Sequence, residues 1–177
     1  MMTTMTDEQR ELILNLALKR ISENEFLARF PVNPRIDTSY VVRALEEAMQ
    51  DRNKHDVERA MMIGFHFGFP KESADVLCRL ILEDWHTQHE NMAWEMQRLK
   101  DPRTVDCLYQ TALARFPYLD YDDAHALAVK CLWALSDINT AEAREKLRLL
   151  TQSENKIIHE NAVRLLNRSV ENLNKAG

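Results

Sequence analysis

The sequence predicts an all-α protein. Three observations carry that expectation. Apolar residues recur at spacings of three and four, as in YVVRALEEAM (40–49), ADVLCRLIL (74–82), VDCLYQTAL (105–113) and AVRLLNRSV (162–170), which is the period of a helix with one buried face. No stretch alternates apolar and polar residues as a half-buried strand would. Helix starts and stops follow one another at short intervals.

Taken in order, helices are expected near 6–23, 25–30, 38–51, 54–68, 71–84, 87–99, 102–115, 122–137, 140–151 and 155–173. Pro31 and Pro34 end the second, because proline removes a donor and fixes φ. Phe69-Pro70 and Phe116-Pro117 break the chain in the same way. Asp101-Pro102 sets an N-cap before proline at the first helical position. Asn139-Thr140-Ala141-Glu142 has capping-box spacing, with Asn in place of Ser or Thr. The connections are short, so consecutive helices should pack antiparallel.

Composition narrows the function. A chain of 177 residues suffices for one domain with a core. The formal charge of −5, from 23 basic and 28 acidic residues, argues against nucleic acid or an acidic membrane and for a basic partner. The three glycines, Gly64, Gly68 and Gly177, cannot build a phosphate-binding loop. Cys78, Cys107 and Cys131 are odd in number, far apart and set among helix-spaced apolar residues. They read as buried free thiols in a reducing compartment. MMTTMTDEQREL carries no secretory signal, and no segment is long and apolar enough to cross a bilayer. The expected location is cytoplasmic.

CLWALSDINTAEAREKL (131–147) repeats an upstream stretch, MAWEMQRLKDPRTVDCL (92–108). Trp133 falls on Trp94, Leu135 on Met96, Ile138 on Leu99 and Leu147 on Leu108. HENAVRLLNRS (159–169) matches HENMAWEMQRL (89–99) at His-Glu-Asn and puts Arg164 in the tryptophan position. The stretch 57–77 can be written as a further copy. The offsets are 39 residues (94 to 133) and 31 residues (133 to 164), and FPYLDYDD (116–123) accounts for most of the excess.

The pattern resembles the HEAT-like repeats of the phycobilisome-lyase type, whose consensus runs V-R-x-x-A-A-x-A-L-G-x-I-G-D-P-x-A-V-x-x-L. DPRTVDCL (101–108) and WALSDI (133–138) carry the likeness, which covers about 56–170. Glycine is missing at most of its consensus positions, and the first 55 residues do not match. The resemblance implies a single domain over 1–177 of antiparallel helix pairs, stacked as a short HEAT-like α-solenoid. Residues 1–55 would form an N-terminal helical cap with the first hairpin helix, and 171–177 a tail. Such repeats bury their faces only against neighbours, and terminal ones need capping.

The resemblance also places a surface. In this family the second helix of each pair lines the concave face, and its variable positions meet the ligand. Carried over, they are Glu90, Asn91, Trp94 and Arg98, then Val129, Lys130, Trp133 and Asp137, then Glu160, Asn161, Arg164 and Arg168. Two tryptophans ringed by charge suit a binding hot spot, unless each packs between helices. The 116–123 insertion adds Tyr118, Asp120, Tyr121, Asp122 and Asp123, since insertions in arrays map to loops on a binding surface. Its other reading is structural: Phe116 and Leu119 fill the core while Asp120, Asp122 and Asp123 favour the start of the next helix.

Catalytic and metal-binding patterns are weak. His86 and His89 in HTQHE lack a third ligand. His86 is expected to cap a helix or face solvent, and His89 and His159, equivalent in the repeat, to pack between repeats. Asp122 and His125 could pair as acid and base, although an exposed N-terminal turn carrying Asp and His is far commoner. No Ser or Cys nucleophile has a partner. The expectation is therefore a binding protein, not an enzyme, with no cofactor, metal, nucleic acid, membrane or small-molecule ligand. Its single-domain layout looks like the all-helical immunity proteins of contact-dependent growth inhibition and related bacterial toxin systems. That likeness implies a cognate toxin domain as partner, such as a basic nuclease, blocked at its active site. A scaffold or adaptor is the alternative, and a bilin lyase-like enzyme a more distant one.

Overall fold

The computed structural model describes residues 5–176. Residues 1–4 and 177, at the ends of the expected cap and tail, lie outside them. All secondary structure among the described residues is helical. The chain forms two compact units, Met1–Val76 and Leu77–Gly177.

The first unit holds α1 (Asp7–Ala17), α2 (Glu23–Arg29), α3 (Tyr40–Gln50) and α4 (Lys54–Phe67), with α5 (Ser73–Leu80) running across the boundary. Capping boxes start α1 and α2: Thr6 with Gln9, and Ser22 with Glu25. Asn53 caps α4 through the amides of His55 and Asp56. α4 packs on both α1 and α3, burying Leu45, Val57, Ala60 and Ile63. Phe26 is fully buried and stacks on Phe30 at 4.6 Å. Gly64 is required by contact: a Cβ there would lie 2.1 Å from the Phe69 ring. Gly68 ends α4 at φ 108°, which favours glycine.

The second unit holds α6 (His89–Leu99), α7 (Val105–Leu113), α8 (Ala126–Ile138), α9 (Ala141–Leu150) and α10 (Lys156–Ala176). α8 is central and packs on all four others, so Cys131, Leu132, Ala134 and Leu135 lose all contact with solvent. Polar contacts fix the direction of its neighbours. Glu90 and Gln97 of α6 meet Lys130 and Asp137 of α8. Trp133 and Asp137 meet Arg164 and Arg168 of α10. Each set advances together along both helices, so α6, α8 and α10 run the same way.

Local geometry repeats where the sequence does. Lys100 ends α6 at φ 50° and Asn139 ends α8 at φ 53°, both left-handed. In each case the adjoining residue caps the following helical turn: Asp101 accepts from the Arg103 amide, and Thr140 from the Ala143 amide. The cap of α9 is thus Thr140. The box expected from Asn139 is replaced because Asn139 is the left-handed C-cap of α8, a role asparagine tolerates.

Three other expectations are corrected. The helix expected over 71–84 stops at Leu80, because His86 Nε2 binds the Leu80 carbonyl (2.8 Å) and His89 Nε2 that of Glu83 (2.7 Å). The helix expected from 122 begins at Ala126, since residues 117–119 form a 3-10 turn and the Asp122 carboxylate takes the Ala124 and Ala126 amides. Cys78 and Cys107 are not free thiols. They form a disulfide with Cα atoms 5.5 Å apart. α5 and α7 bring together residues too distant in sequence for spacing to pair them. Cys131 is free and buried, and burial pushes its thiol well above the ordinary range.

Candidate protein-binding surface

The parallel helices α6, α8 and α10 present the carried-over positions side by side. Glu90 pairs with Lys130. Gln97 Nε2 donates to Asp137 Oδ2 at 2.7 Å, and Arg168 Nη1 donates to Asp137 Oδ1 at 2.8 Å. One carboxylate on α8 therefore joins all three helices. Arg168 also lies over Trp133, 4.9 Å from the ring centroid, and Arg164 lies 5.7 Å from it, within cation–π range. Arg164 in turn takes Asn161 Oδ1 at 2.6 Å.

The two tryptophans differ in setting. Trp133 is half-buried between α8 and the α10 arginines. Trp94 is 45 % exposed with Arg98 5.0 Å from its ring. Arg98 also reaches Glu95 at 3.4 Å. Glu95 is almost fully buried, which raises its carboxyl above the ordinary range. Asn91 is exposed and bonds Gln88. Glu160 is exposed and faces Lys156 at 3.8 Å.

The 116–123 loop divides between structure and surface. Phe116 is buried with its ring 3.9 Å from that of His89. Tyr118 donates its hydroxyl to His89 Nδ1 at 2.7 Å, and burial lifts the phenol to about 12. Asp120 meets Arg115 at 3.1 Å. Asp122 holds the start of α8. Tyr121, at 82 % exposure, and Asp123 face solvent.

His86, expected to cap a helix or face solvent, is instead buried and stacks on His89, with rings 4.3 Å apart. His86 accepts from the Gln88 amide at Nδ1, and its Nε2–H goes to Leu80. His89 accepts from Tyr118 and gives its Nε2–H to Glu83. Every ring nitrogen is used by a neutral imidazole. Burial lowers both, His89 to about 4, with His86 adding to its shift. His159, the equivalent of His89 in the repeat, is exposed, and its ring bonds Thr151 O. Asp122 and His125 form no acid–base pair, since the His125 ring bonds Asn155 at 2.8 Å. No cluster of metal-binding side chains occurs among the described residues.

Sequence reasoning missed Gln97 and the buried Ser136–Ser169 pair, whose hydroxyls lie 3.0 Å apart. Gln97 was legible in principle, since it stands one helical turn beyond Trp94 and 40 residues before Asp137, the spacing that also joins Glu90 to Lys130. No family model, curated protein or solved structure matches the chain.

Proposed function

We propose that the chain is a protein-binding module, a short HEAT-like α-solenoid of antiparallel helix pairs that engages a protein partner on its α6–α8–α10 face. The observation that carries this reading is Trp94. A large indole stands 45 % exposed beside Arg98, and a few steps away Asp137 locks Gln97 and Arg168 in place. An exposed aromatic anchor in a rigid polar rim is what a hot spot needs. The repeated left-handed cap followed by an N-cap, at 100–101 and 139–140, supports the repeat reading.

Within it, the partner is a cognate bacterial toxin domain, and the protein is its immunity protein. The net charge of −5 favours capture of a basic domain such as a nuclease, because complementary charge speeds encounter. Blocking needs no catalytic group.

The test is growth rescue. The product of the adjacent reading frame is expressed alone and with this chain. Toxicity alone, relief by the wild type and loss of relief with Trp94→Ala are the expected results. A non-toxic neighbour, or unchanged rescue by a folded Trp94→Ala protein, overturns the reading.

A further inference from the structure

We propose that the outer flank of α10 binds a second copy of this chain, α10 against α10 in antiparallel. Val163, Leu166, Val170 and Leu173 follow one another at intervals of three, four and three residues, the spacing of a helix–helix seam. Val163 is 38 % exposed, Val170 and Leu173 are each 44 % exposed, and Leu166 is half-buried. At 3.6 residues per turn, all four stand about 140–160° round the helix from Arg168. Arg168 reaches Asp137 and Trp133 of α8, so the seam faces away from α8. Ala162, Leu165 and Ser169 are fully buried between these two directions. α10 thus has one face in the core of the second unit and a second apolar face open to solvent.

The seam selects a helix like itself. Its order is Val, Leu, Val, Leu, and its positions are symmetric about residue 168. An antiparallel copy centred there sets Val163 against the partner's Leu173 and Leu166 against the partner's Val170, with the same two contacts in reverse. Each of the four layers then holds one valine and one leucine, so none is overfilled or left hollow. A parallel pair stacks valine on valine and leucine on leucine, and brings the two Lys156 ammonium groups together at one end. One patch paired with itself closes as a twofold dimer.

Charge and area agree with a second copy. The chain carries a net charge of −5, yet the free edge of the seam holds Asn167 and Asn174, and beyond them Lys156 and Glu160, which face each other at 3.8 Å. That edge is neutral. Two acidic copies therefore meet there without repulsion, and a basic protein gains no attraction. α10 has 21 residues, a length of about 31 Å, and α9 packs beside it. Two helices each about 10 Å wide offer roughly 500 Å² on each copy, or about 1,000 Å² in total, the low end for a specific interface. The dimer is therefore weak, with a dissociation constant of roughly 10–100 µM. It does not use Trp94 and does not rest on the function proposed above.

The experiment is sedimentation equilibrium of the full chain at concentrations spanning that constant. A reversible monomer–dimer equilibrium is expected. Val163→Lys and Leu173→Glu should each weaken it by roughly tenfold or more, because each buries an unpaired charge against leucine or valine. An equimolar mixture of the two variants should associate again. In antiparallel the new ammonium and the new carboxylate meet in one layer while the other three layers keep their valine and leucine. A parallel pair gives no such recovery. Both positions are exposed, and recovery on mixing shows that both variants are folded. Ile36→Ser, at a site 81 % exposed in the first unit, should leave association unchanged. A monomeric wild type, single variants that associate as the wild type does, no recovery on mixing, or equal loss with Ile36→Ser overturns the proposal. So does a monomeric wild type whose toxin rescue is abolished by Val163→Lys, which would give this flank to the toxin domain. The chain is measured alone, so failure here leaves the Trp94 surface standing, and failure of toxin rescue leaves the dimer standing.

Discussion

Arg168 lies 4.9 Å from the Trp133 ring centroid while its Nη1 donates to Asp137 at 2.8 Å. One guanidinium thus clamps the indole and the carboxylate together, and Asp137 passes the connection on to Gln97 of α6. Trp133 is half-buried and held by Arg168, whereas Trp94 is 45 % exposed.

The two tryptophans should therefore separate. Trp133→Ala removes a half-buried ring and is expected to lower stability by about 2 kcal/mol, below the full core value because part of the ring is already wet. Trp94→Ala should change stability by only about 0.5 kcal/mol and weaken partner binding by about 2 kcal/mol or more. Urea unfolding and partner titration on both variants check this. Equal losses of stability would show that Trp94 is core.

The Cys78–Cys107 disulfide closes a separation of 29 residues. Reduction should cost about 3 kcal/mol by releasing that loop in the unfolded chain. Thiol titration of the denatured protein should count one thiol before reduction and three after. A count of three before reduction would show that the bond does not form.

Burial lowers the imidazoles of His86 and His89, the latter to about 4 from 6.5. The folded state therefore binds fewer protons than the unfolded chain between these values. Stability from this source is complete above pH 6.5 and is lost as pH falls toward 4, by roughly 3 kcal/mol at most. Unfolding free energies at pH 7, 6, 5 and 4 measure the slope. His89→Gln should flatten it, and an unchanged slope would place the dependence elsewhere.

The fold class was legible because helical period, capping residues and prolines act over a few residues. Asp101 caps as its spacing suggests. The features that escaped reading depend on contacts distant in sequence. The disulfide joins α5 to α7, and Tyr118 reaches His89 across 29 residues. A histidine motif looks identical whether wet or buried, and only the loop that folds over it decides. The acidic loop illustrates the same point. Its composition is plain, but the division between Asp122 as a helix start and Asp123 in solvent comes from where α8 begins.

The firmest test of the first unit is Arg10 with Asp56. Arg10 Nε donates to Oδ1 at 2.6 Å and Nη2 to Oδ2 at 3.0 Å, while Asn53 Nδ2 adds a third bond at 3.0 Å. Asp56 is 3 % exposed. Arg10 is a quarter exposed, so the pair falls short of a fully buried one. Removing one partner still strands the other. Arg10→Ala should cost about 2–3 kcal/mol, below the range for a fully buried pair, because the carboxylate keeps only Asn53. Asp56→Asn keeps the shape and one acceptor and should cost less. In a double-mutant cycle the Arg10→Ala/Asp56→Ala protein should lose less than the two single variants together, since no charge is then left unpaired. Strict additivity would mean that the bidentate contact contributes nothing to joining α1 to α4.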